Sequence, residues 1–129
     1  MTDPIADMII RVKNAQAVKK ISVDVPYSNL KHRIAEVLVK NGFIVKVEKK
    51  YSKTRKIIRI ELKYNGGVSR IMGFKRMSSP GRRLYVPLKG IKNSAKDGGM
   101  VIISTSKGIM PVMEAKRKKQ GGELIAEVW

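Results

Sequence analysis

Three hydroxyl side chains and a lysine follow one another in the stretch Ser104-Thr-Ser-Lys-Gly108. Serine and threonine hydroxyls both donate and accept hydrogen bonds, so they can contact an anionic ligand without a fixed charge geometry. Lys107 adds a positive charge, and Gly108 allows a close backbone approach because it has no Cβ atom. This combination of residue types is suited to binding an anion, and phosphate is the obvious candidate.

The flanking sequence predicts how these residues are held. The apolar run from Met100 to Ile103 precedes them and predicts a strand buried on both faces. Pro111 follows them and suits the first turn of a helix, which we predict over 112–120. A strand, a short polar loop and a helix start would bring the hydroxyls close to unpaired backbone amides, which favour an anion.

A hydrolase is an alternative hypothesis, because Ser104 and Ser106 lie close to Lys107 in the sequence. A serine nucleophile needs an activating base and a third, orienting group, but the only histidine, His32, lies in the other half of the chain. No glycine-rich loop leads to Lys107, so the nucleotide-binding P-loop pattern is absent too. We therefore expect no enzymatic activity and no small-molecule substrate.

The composition indicates a polyanionic partner. The 129 residues include 28 Lys+Arg and 10 Asp+Glu, which gives a formal net charge of +18. No fold requires this excess, and an anionic partner would offset its self-repulsion. An architectural DNA-binding protein could have the same composition and stays an alternative hypothesis.

Other sequence features concern location and cofactors. The chain has no cysteine, and His32 has no second histidine near it, so we expect no metal or other cofactor. No apolar run approaches the roughly 20 residues that span a bilayer, and the N-terminal residues lack the pattern of a signal peptide. We expect a cytoplasmic protein that does not bind membranes.

The first half of the chain predicts the order helix, strand, helix, strand, strand. Asp3 and Pro4 fit an N-cap and a first helical position, and the helix that follows has a core-facing apolar stripe of Ile5, Met8, Ile9 and Val12. Ser28 is placed to cap the second helix, and Gly42 to end it. The apolar core positions of the second helix are Leu30, Ile34, Val37 and Leu38. Alternating apolar and polar residues predict strands over 21–25, 43–48 and 58–62.

Two polar surfaces of this half have two interpretations each. The helix face with Asp7, Arg11 and Asn14, where Asp7 is placed to pair with Arg11 four residues on, is either solvated or contacts nucleic acid. The same choice applies to the cationic hairpin tip over 49–56. We place Lys31 on the outer face of the second helix.

Asn65-Gly66-Gly67 predicts a boundary between an N-terminal α/β subdomain, 1–66, and a mostly β C-terminal subdomain with a short helix, 67–129. The predicted fold class is thus α+β, with the two subdomains packed together. Beyond the boundary we predict a strand over 68–77, a type II turn over 78–81 with positive φ at Gly81, and a returning strand from 82. The segment 87–93 is predicted to be a short helical or irregular connection.

Cations and one aromatic ring lie around the predicted turn. Arg83 and Tyr85 follow it closely, and this arrangement could grip a nucleic-acid backbone while a base stacks on the ring. A tyrosine in a strand is, however, more often a core residue.

Four separated motifs resemble one family. The pattern Gly99-x-x-Ile-Ile-Ser-Thr-x-x-Gly-Ile-Met-x-x-x-x-Ala-Lys116 resembles the signature of the bacterial-type eighth protein of the small ribosomal subunit. The similarity covers nearly the whole chain in the same order. The other motifs are Asp3-Pro-Ile-Ala-Asp-Met8 with Arg11 and Asn14, Ser79-Pro-Gly with Arg83 and Tyr85, and Gly121-Gly-Glu123.

The resemblance implies binding to a helical region in the central domain of the small-subunit ribosomal RNA, early in assembly. It also implies neighbouring small-subunit proteins, the fifth among them. Glu123 could accept a hydrogen bond from a base amino group or, as an alternative, form a salt bridge with a neighbouring lysine. The RNA-binding residues that we predict are Ser104, Thr105, Ser106, Lys107, Gly108, Tyr85, Arg83, Gly122 and Glu123, with Asp3, Arg11, Asn14 and Lys31 as a secondary surface.

Overall fold

A computed structural model describes residues 3–87 and 98–129, and Ser52 by its backbone only. Residues 4–71 form one compact unit, the first unit, and residues 72–129 with Asp3 form another, the second unit. The Gly66-Gly67 pair, at which we predicted the boundary, forms a turn within the first unit. The connection predicted over 87–93 lies, apart from Pro87, outside the described residues.

The first unit has the predicted order of helices and strands. Its helices are α1 (Pro4–Ala17) and α2 (Asn29–Lys40). Its strands are β1 (Ser22–Pro26), β2 (Ile44–Ser52) and β3 (Arg55–Leu62), which form an antiparallel sheet in the order β1-β3-β2, and a ribbon of β4 (Tyr64–Asn65) and β5 (Val68–Ser69). The local signals that predicted this order are short-range ones, namely apolar periodicity and helix caps.

The two ends of α2 confirm the caps predicted at Ser28 and Gly42. The Lys31 backbone N–H donates to Ser28 Oγ at 3.1 Å, which satisfies one of the amides that α2 leaves unpaired. Gly42 has a φ of 80°, the left-handed conformation that ends a helix at little steric cost. On α1, the predicted apolar stripe is buried; it consists of Ile5, Met8, Ile9 and Val12.

Two side-chain placements in the first unit differ from the prediction. A register shift between Ile44 and Lys46 interrupts the alternation in β2, so that Phe43 and Ile44 are buried and Val45 is exposed. On α2, Leu30 is exposed although we predicted an apolar core position there.

The second unit is mostly β with one short helix, so the α+β fold class is confirmed. Its helix is α3 (Val112–Arg117). Its strands are β6 (Phe74–Arg76), β7 (Tyr85–Val86), β8 (Met100–Thr105), β9 (Gly108–Pro111) and β10 (Gly122–Val128). The antiparallel sheet has the order β6-β10-β8-β9, and β7 also pairs with β10. No helix in residues 3–87 and 98–129 is long and apolar enough to cross a membrane.

Three predictions for the start of this unit are wrong. The single strand predicted over 68–77 is two short strands, β5 and β6, separated by residues without strand pairing. The returning strand β7 pairs with β10 and not with β6. Ser79 and Arg82 exchange backbone hydrogen bonds of 2.9 and 3.0 Å around the turn, but Gly81 does not have the positive φ of a type II turn.

Strand β8 is the centre of the second unit. All residues from Met100 to Ile103 are buried, as predicted for a strand covered on both faces. A register shift between Leu124 and Ala126 of the neighbouring β10 buries Ile125 as well as Ala126, whereas strict alternation along a strand would place these two neighbours on opposite faces. The apolar cover ends at Ser104, where the candidate site begins.

Candidate nucleic-acid interface

The hydroxyl-rich stretch forms the end of a β-hairpin and does not lead directly into a helix. Ser104 pairs with Ile109 and Thr105 pairs with Gly108, so only Ser106 and Lys107 form the turn. Helix α3 begins at Val112, after the whole of β9. The prediction that unpaired helix-start amides contribute to the site is therefore wrong, because a paired strand separates the turn from the helix.

Internal hydrogen bonds fix the shape of this turn. Thr105 Oγ1 donates to the Gly108 carbonyl at 2.9 Å and accepts from the Lys107 backbone N–H at 3.1 Å. Gly108 has a φ of 118°, which side chains with a Cβ atom rarely adopt. Thr105 and Gly108 therefore hold the turn in shape, while Ser106 and Lys107 remain exposed to a ligand.

Gln120 is a part of the site that the sequence analysis missed. Ser106 Oγ donates to Gln120 Oε1 at 2.9 Å, which connects the turn to the segment that follows α3. The exposed cations of 116–119 directly precede Gln120, two of them in the last turn of α3 and two after it. The contact joins residues 14 positions apart, and no sequence pattern indicated it.

A row of paired residues crosses the sheet beside the turn. Glu123 pairs with Tyr85 of β7 on one side and with Ser104 of β8 on the other, and Ser104 pairs with Ile109 of β9. Directly paired residues present their side chains on the same face of a sheet, and neighbouring strands are about 4.8 Å apart, so the row spans about 14 Å. The sheet thus brings together predicted residues that are far apart in the sequence.

Tyr85 lies at the accessible end of this row. Its exposed fraction is 69%, so it is not a core tyrosine. Exposing the apolar faces of an aromatic ring to water is unfavourable in the isolated protein. The same ring offers a flat surface on which an unstacked base could stack.

Glu123 and Arg83 form an ion pair next to the tyrosine. Arg83 Nη1 donates to Glu123 Oε2 at 3.0 Å, and this hydrogen bond raises the pKa of the guanidinium. The salt-bridge alternative for Glu123 is thus the one seen, although with an arginine in place of a lysine. The pair holds Arg83 beside Tyr85 and neutralises a carboxylate that would otherwise repel phosphate.

Gly122 has a packing role in the site. A Cβ atom at this position would lie 2.9 Å from the Ser104 carbonyl carbon and 3.2 Å from Thr105 Cα, and it would be closer still to the Ser104 carbonyl oxygen. Strand β10 can approach β8 here only because Gly122 has no side chain. The residue therefore positions the hydroxyl-bearing strand.

The predicted secondary surface is divided between the two units. Asp3 belongs to the second unit, where Arg76 Nε donates to its carboxylate at 3.2 Å. Arg11 and Asn14 are exposed on α1 of the first unit, and Arg11 Nε donates to Asp7 at 2.8 Å, the predicted pair. That ion pair is solvent-exposed, so it contributes little stability.

Lys31 does not lie on the outer face of α2, where we placed it. Its exposed fraction is 4%, and burial lowers the pKa of its ammonium group, an effect that nearby Asp7 opposes and Arg11 adds to. The contact of Lys31 with RNA stays a prediction, and we do not include this lysine in the candidate interface.

Replacing Lys31 with methionine tests its burial. Because the lowered pKa means that folding disfavours the charged form, we expect Lys31→Met to leave Tm at neutral pH unchanged or higher. The folded-state pKa lies below the unfolded one, so the wild-type protein gains stability as pH rises towards the ordinary lysine value. Any advantage of the variant should therefore shrink in alkaline buffer. RNA affinity should not change, and a large loss of affinity would show that Lys31 reaches the RNA.

The features of the second unit define a class of protein. The second unit combines a turn that exposes Ser106 and Lys107, an accessible aromatic ring and a paired arginine. In a chain with a net charge of +18, these features are typical of an RNA-binding protein. The family model described as ribosomal protein S8 matches residues 3–129. The chain therefore belongs to the ribosomal protein S8 family.

Curated relatives agree with this family over the whole chain. The small ribosomal subunit protein uS8 of Dictyoglomus turgidum is 47% identical over 129 residues, which are 100% of this chain and 98% of the relative. The proteins of the same name from Clostridium novyi and Mycoplasmopsis agalactiae are 45% and 43% identical, with the same coverage. The chain is thus a protein of the small ribosomal subunit, located with the ribosome in the cytoplasm, and its family is structural and not an enzyme family.

Proposed function

We propose that the chain binds directly to the central domain of the small-subunit ribosomal RNA and promotes assembly of the subunit. The observation that carries the proposal is the row of Tyr85, Glu123 and Ser104 beside the Ser106-Lys107 turn. This surface offers hydroxyls, an ammonium group and a flat ring within a few strand widths.

The chemistry of the surface fits folded RNA. A-form RNA has a deep, narrow major groove that side chains cannot read, and a shallow minor groove that displays 2′-hydroxyls and base edges. The hydroxyls of Ser104 and Ser106 can bond to such groups, and Lys107 can bind a phosphate. An exposed ring at Tyr85 fits an unstacked base, so a distorted or bulged helix is the target we propose.

The Arg83–Glu123 pair contributes to this surface in two ways. Glu123 holds Arg83 close to Tyr85, where the guanidinium can bind phosphate or stack on a base. A carboxylate with two oxygens can still accept a hydrogen bond from a base amino group while it is paired. We therefore assign selectivity to Glu123 and backbone contact to Arg83.

A secondary contact and protein neighbours complete the proposal. We assign the secondary RNA contact to the exposed α1 residues Arg11 and Asn14, with Asp3 orienting Arg76 in the second unit. Neighbouring small-subunit proteins, the fifth among them, would be the protein partners.

Chemical footprinting of small-subunit ribosomal RNA, with and without the protein, tests the proposed function. We expect protection confined to a helical element of the central domain. A competition between duplex DNA and that RNA at matched salt should favour the RNA by a large factor. Equal affinity for the duplex, or protection spread over the whole molecule, would contradict specific recognition and favour the architectural DNA-binding hypothesis.

Salt dependence measures the electrostatic part of binding. If about six phosphates are contacted, log affinity should fall with log salt concentration with a slope of roughly −4 to −5. Titrations of the RNA fragment at several salt concentrations provide the slope. Lys118, whose Nζ lies 3.3 Å from a carboxylate oxygen of Glu114, provides a control cation. Lys118→Gln should weaken binding slightly without changing which RNA is preferred, whereas a nearly flat salt dependence would rule out a phosphate-dominated interface.

A further inference from the structure

Three lysines have a left-handed backbone conformation. Lys19, Lys53 and Lys119 have φ values of 58°, 59° and 56°, and they are the only non-glycine residues with positive φ in the described part of the chain. A residue with a Cβ atom is strained in this conformation, because Cβ crowds the backbone carbonyl. Glycine is the usual residue there, so lysine at all three positions requires an explanation.

The same protein also uses glycine at an equivalent position. Lys19 and Lys119 end α1 and α3 in the place that Gly42 has at the end of α2. At each of these ends the next residue donates its N–H to a carbonyl five positions back, in the pairs Lys20–Ala15, Phe43–Leu38 and Gln120–Ala115. This hydrogen-bond pattern does not depend on lysine, so the end of a helix alone does not explain Lys19 or Lys119.

Contacts within the protein explain why a lysine is present at position 19. Its Nζ donates to the Gly67 carbonyl at 2.7 Å and lies 5.5 Å from the centre of the Tyr64 ring. These contacts attach the end of α1 to the β4–β5 turn. The ammonium groups of Lys53 and Lys119 form no ion pair or hydrogen bond within residues 3–87 and 98–129, and both lysines are exposed.

Both lysines lie in exposed turns that have other cations close by in the sequence. Gln120, the residue after Lys119, accepts the hydrogen bond from Ser106, so Lys119 is next to the candidate interface. Lys53 is the first of the two turn residues between β2 and β3. The hairpin that it ends also carries Lys49, Lys50, Arg55 and Lys56.

We propose that Lys53 and Lys119 each bind a phosphate of the RNA backbone. Their backbone strain is tolerated because it places an ammonium group in each of these two turns. The proposal rests on the proposed function above. It adds to the interface one contact beside the Ser106 turn and another on the first unit.

The test replaces each lysine with glycine and measures two quantities. Glycine removes the strain, so Lys53→Gly and Lys119→Gly should each raise Tm by about 2–4 °C. The same changes remove a phosphate contact, so each should weaken affinity for the central-domain RNA fragment by about three- to tenfold. Each should also reduce the size of the salt slope by about one. The two effects have opposite signs, so misfolding cannot produce the expected result.

Two matched controls complete the experiment. Lys19→Gly changes an equivalent position whose ammonium is used internally, so it should change RNA affinity by less than twofold and give no gain in Tm. Gly42→Ala places a Cβ atom in the same conformation and should lower Tm, which measures the strain in this protein. If Lys53→Gly and Lys119→Gly bind RNA as tightly as the wild type, or if Lys19→Gly weakens binding equally, the proposal is overturned. The proposed function would survive both results, and it fails only if the wild-type protein does not select this RNA.

Discussion

Tyr85→Ala is expected to weaken binding to the ribosomal RNA fragment by about 5- to 150-fold, which corresponds to about 1–3 kcal/mol for the loss of one base stacked on an aromatic ring. The ring has an exposed fraction of 69%, so removing it takes little packing from the protein. The Tm of the variant should therefore remain close to the wild-type value. Titration of labelled RNA and thermal unfolding of the same preparation give the two quantities.

Three further variants make this result specific. Tyr85→Phe keeps the ring and should retain most of the affinity, whereas Ser106→Ala removes a hydroxyl and should also cost about 1–3 kcal/mol. Ser106→Ala also removes the hydrogen bond to Gln120. Gln120→Ala removes that hydrogen bond but keeps the hydroxyl, so it shows how much of the affinity loss comes from the lost contact with Gln120. A Tyr85→Ala protein that melts earlier but binds normally when folded would place the ring in the core and remove it from the interface.

Gly122→Ala is expected to have the largest effect on the fold of the site. The new Cβ atom would lie 2.9 Å from the Ser104 carbonyl carbon, and this neighbour is backbone that cannot move aside as a flexible side chain could. Overpacking of this kind costs about 1–3 kcal/mol, and it should separate β10 from β8 at the end that carries the hydroxyls. We expect a lower Tm and a loss of RNA affinity together, since both follow from the displaced strand.

Gly81→Ala is the matched control for this variant. No atom lies within 4 Å of a Cβ atom built at Gly81, and its φ is not positive, so the change should have almost no effect on Tm. Unchanged Tm and unchanged affinity in Gly122→Ala would contradict the close approach of the two strands.

Sequence patterns predicted the features that depend on residues close together in the chain. The stripe of α1 and the cap at Ser28 follow from helical spacing and from one side chain that bonds to the third amide after it. The residue types of the Ser104–Gly108 stretch are likewise recognisable without a structure, and the anion-binding surface that they indicate stays a prediction.

The features that the sequence did not predict correctly depend on contacts between residues far apart in the chain. Strand β9 has only four residues, and its existence depends on pairing with β8. Strand β7 has two residues and depends on β10, which lies far along the chain. The burial of Lys31 and the register shifts in β2 and β10 also arise from tertiary packing, which the local alternation of residues does not encode.

Strand β10 pairs with β6, β7 and β8, so the arrangement of the residues proposed to bind RNA depends on this one strand. A genetic screen for lost RNA binding would therefore return many substitutions at its buried positions, such as Ile125, Ala126 and Val128, which lie inside the protein and outside the proposed interface. Loss of RNA binding alone would then overstate the extent of the interface. A measurement of folding, made on each such variant, separates residues that hold the sheet together from residues that bind RNA.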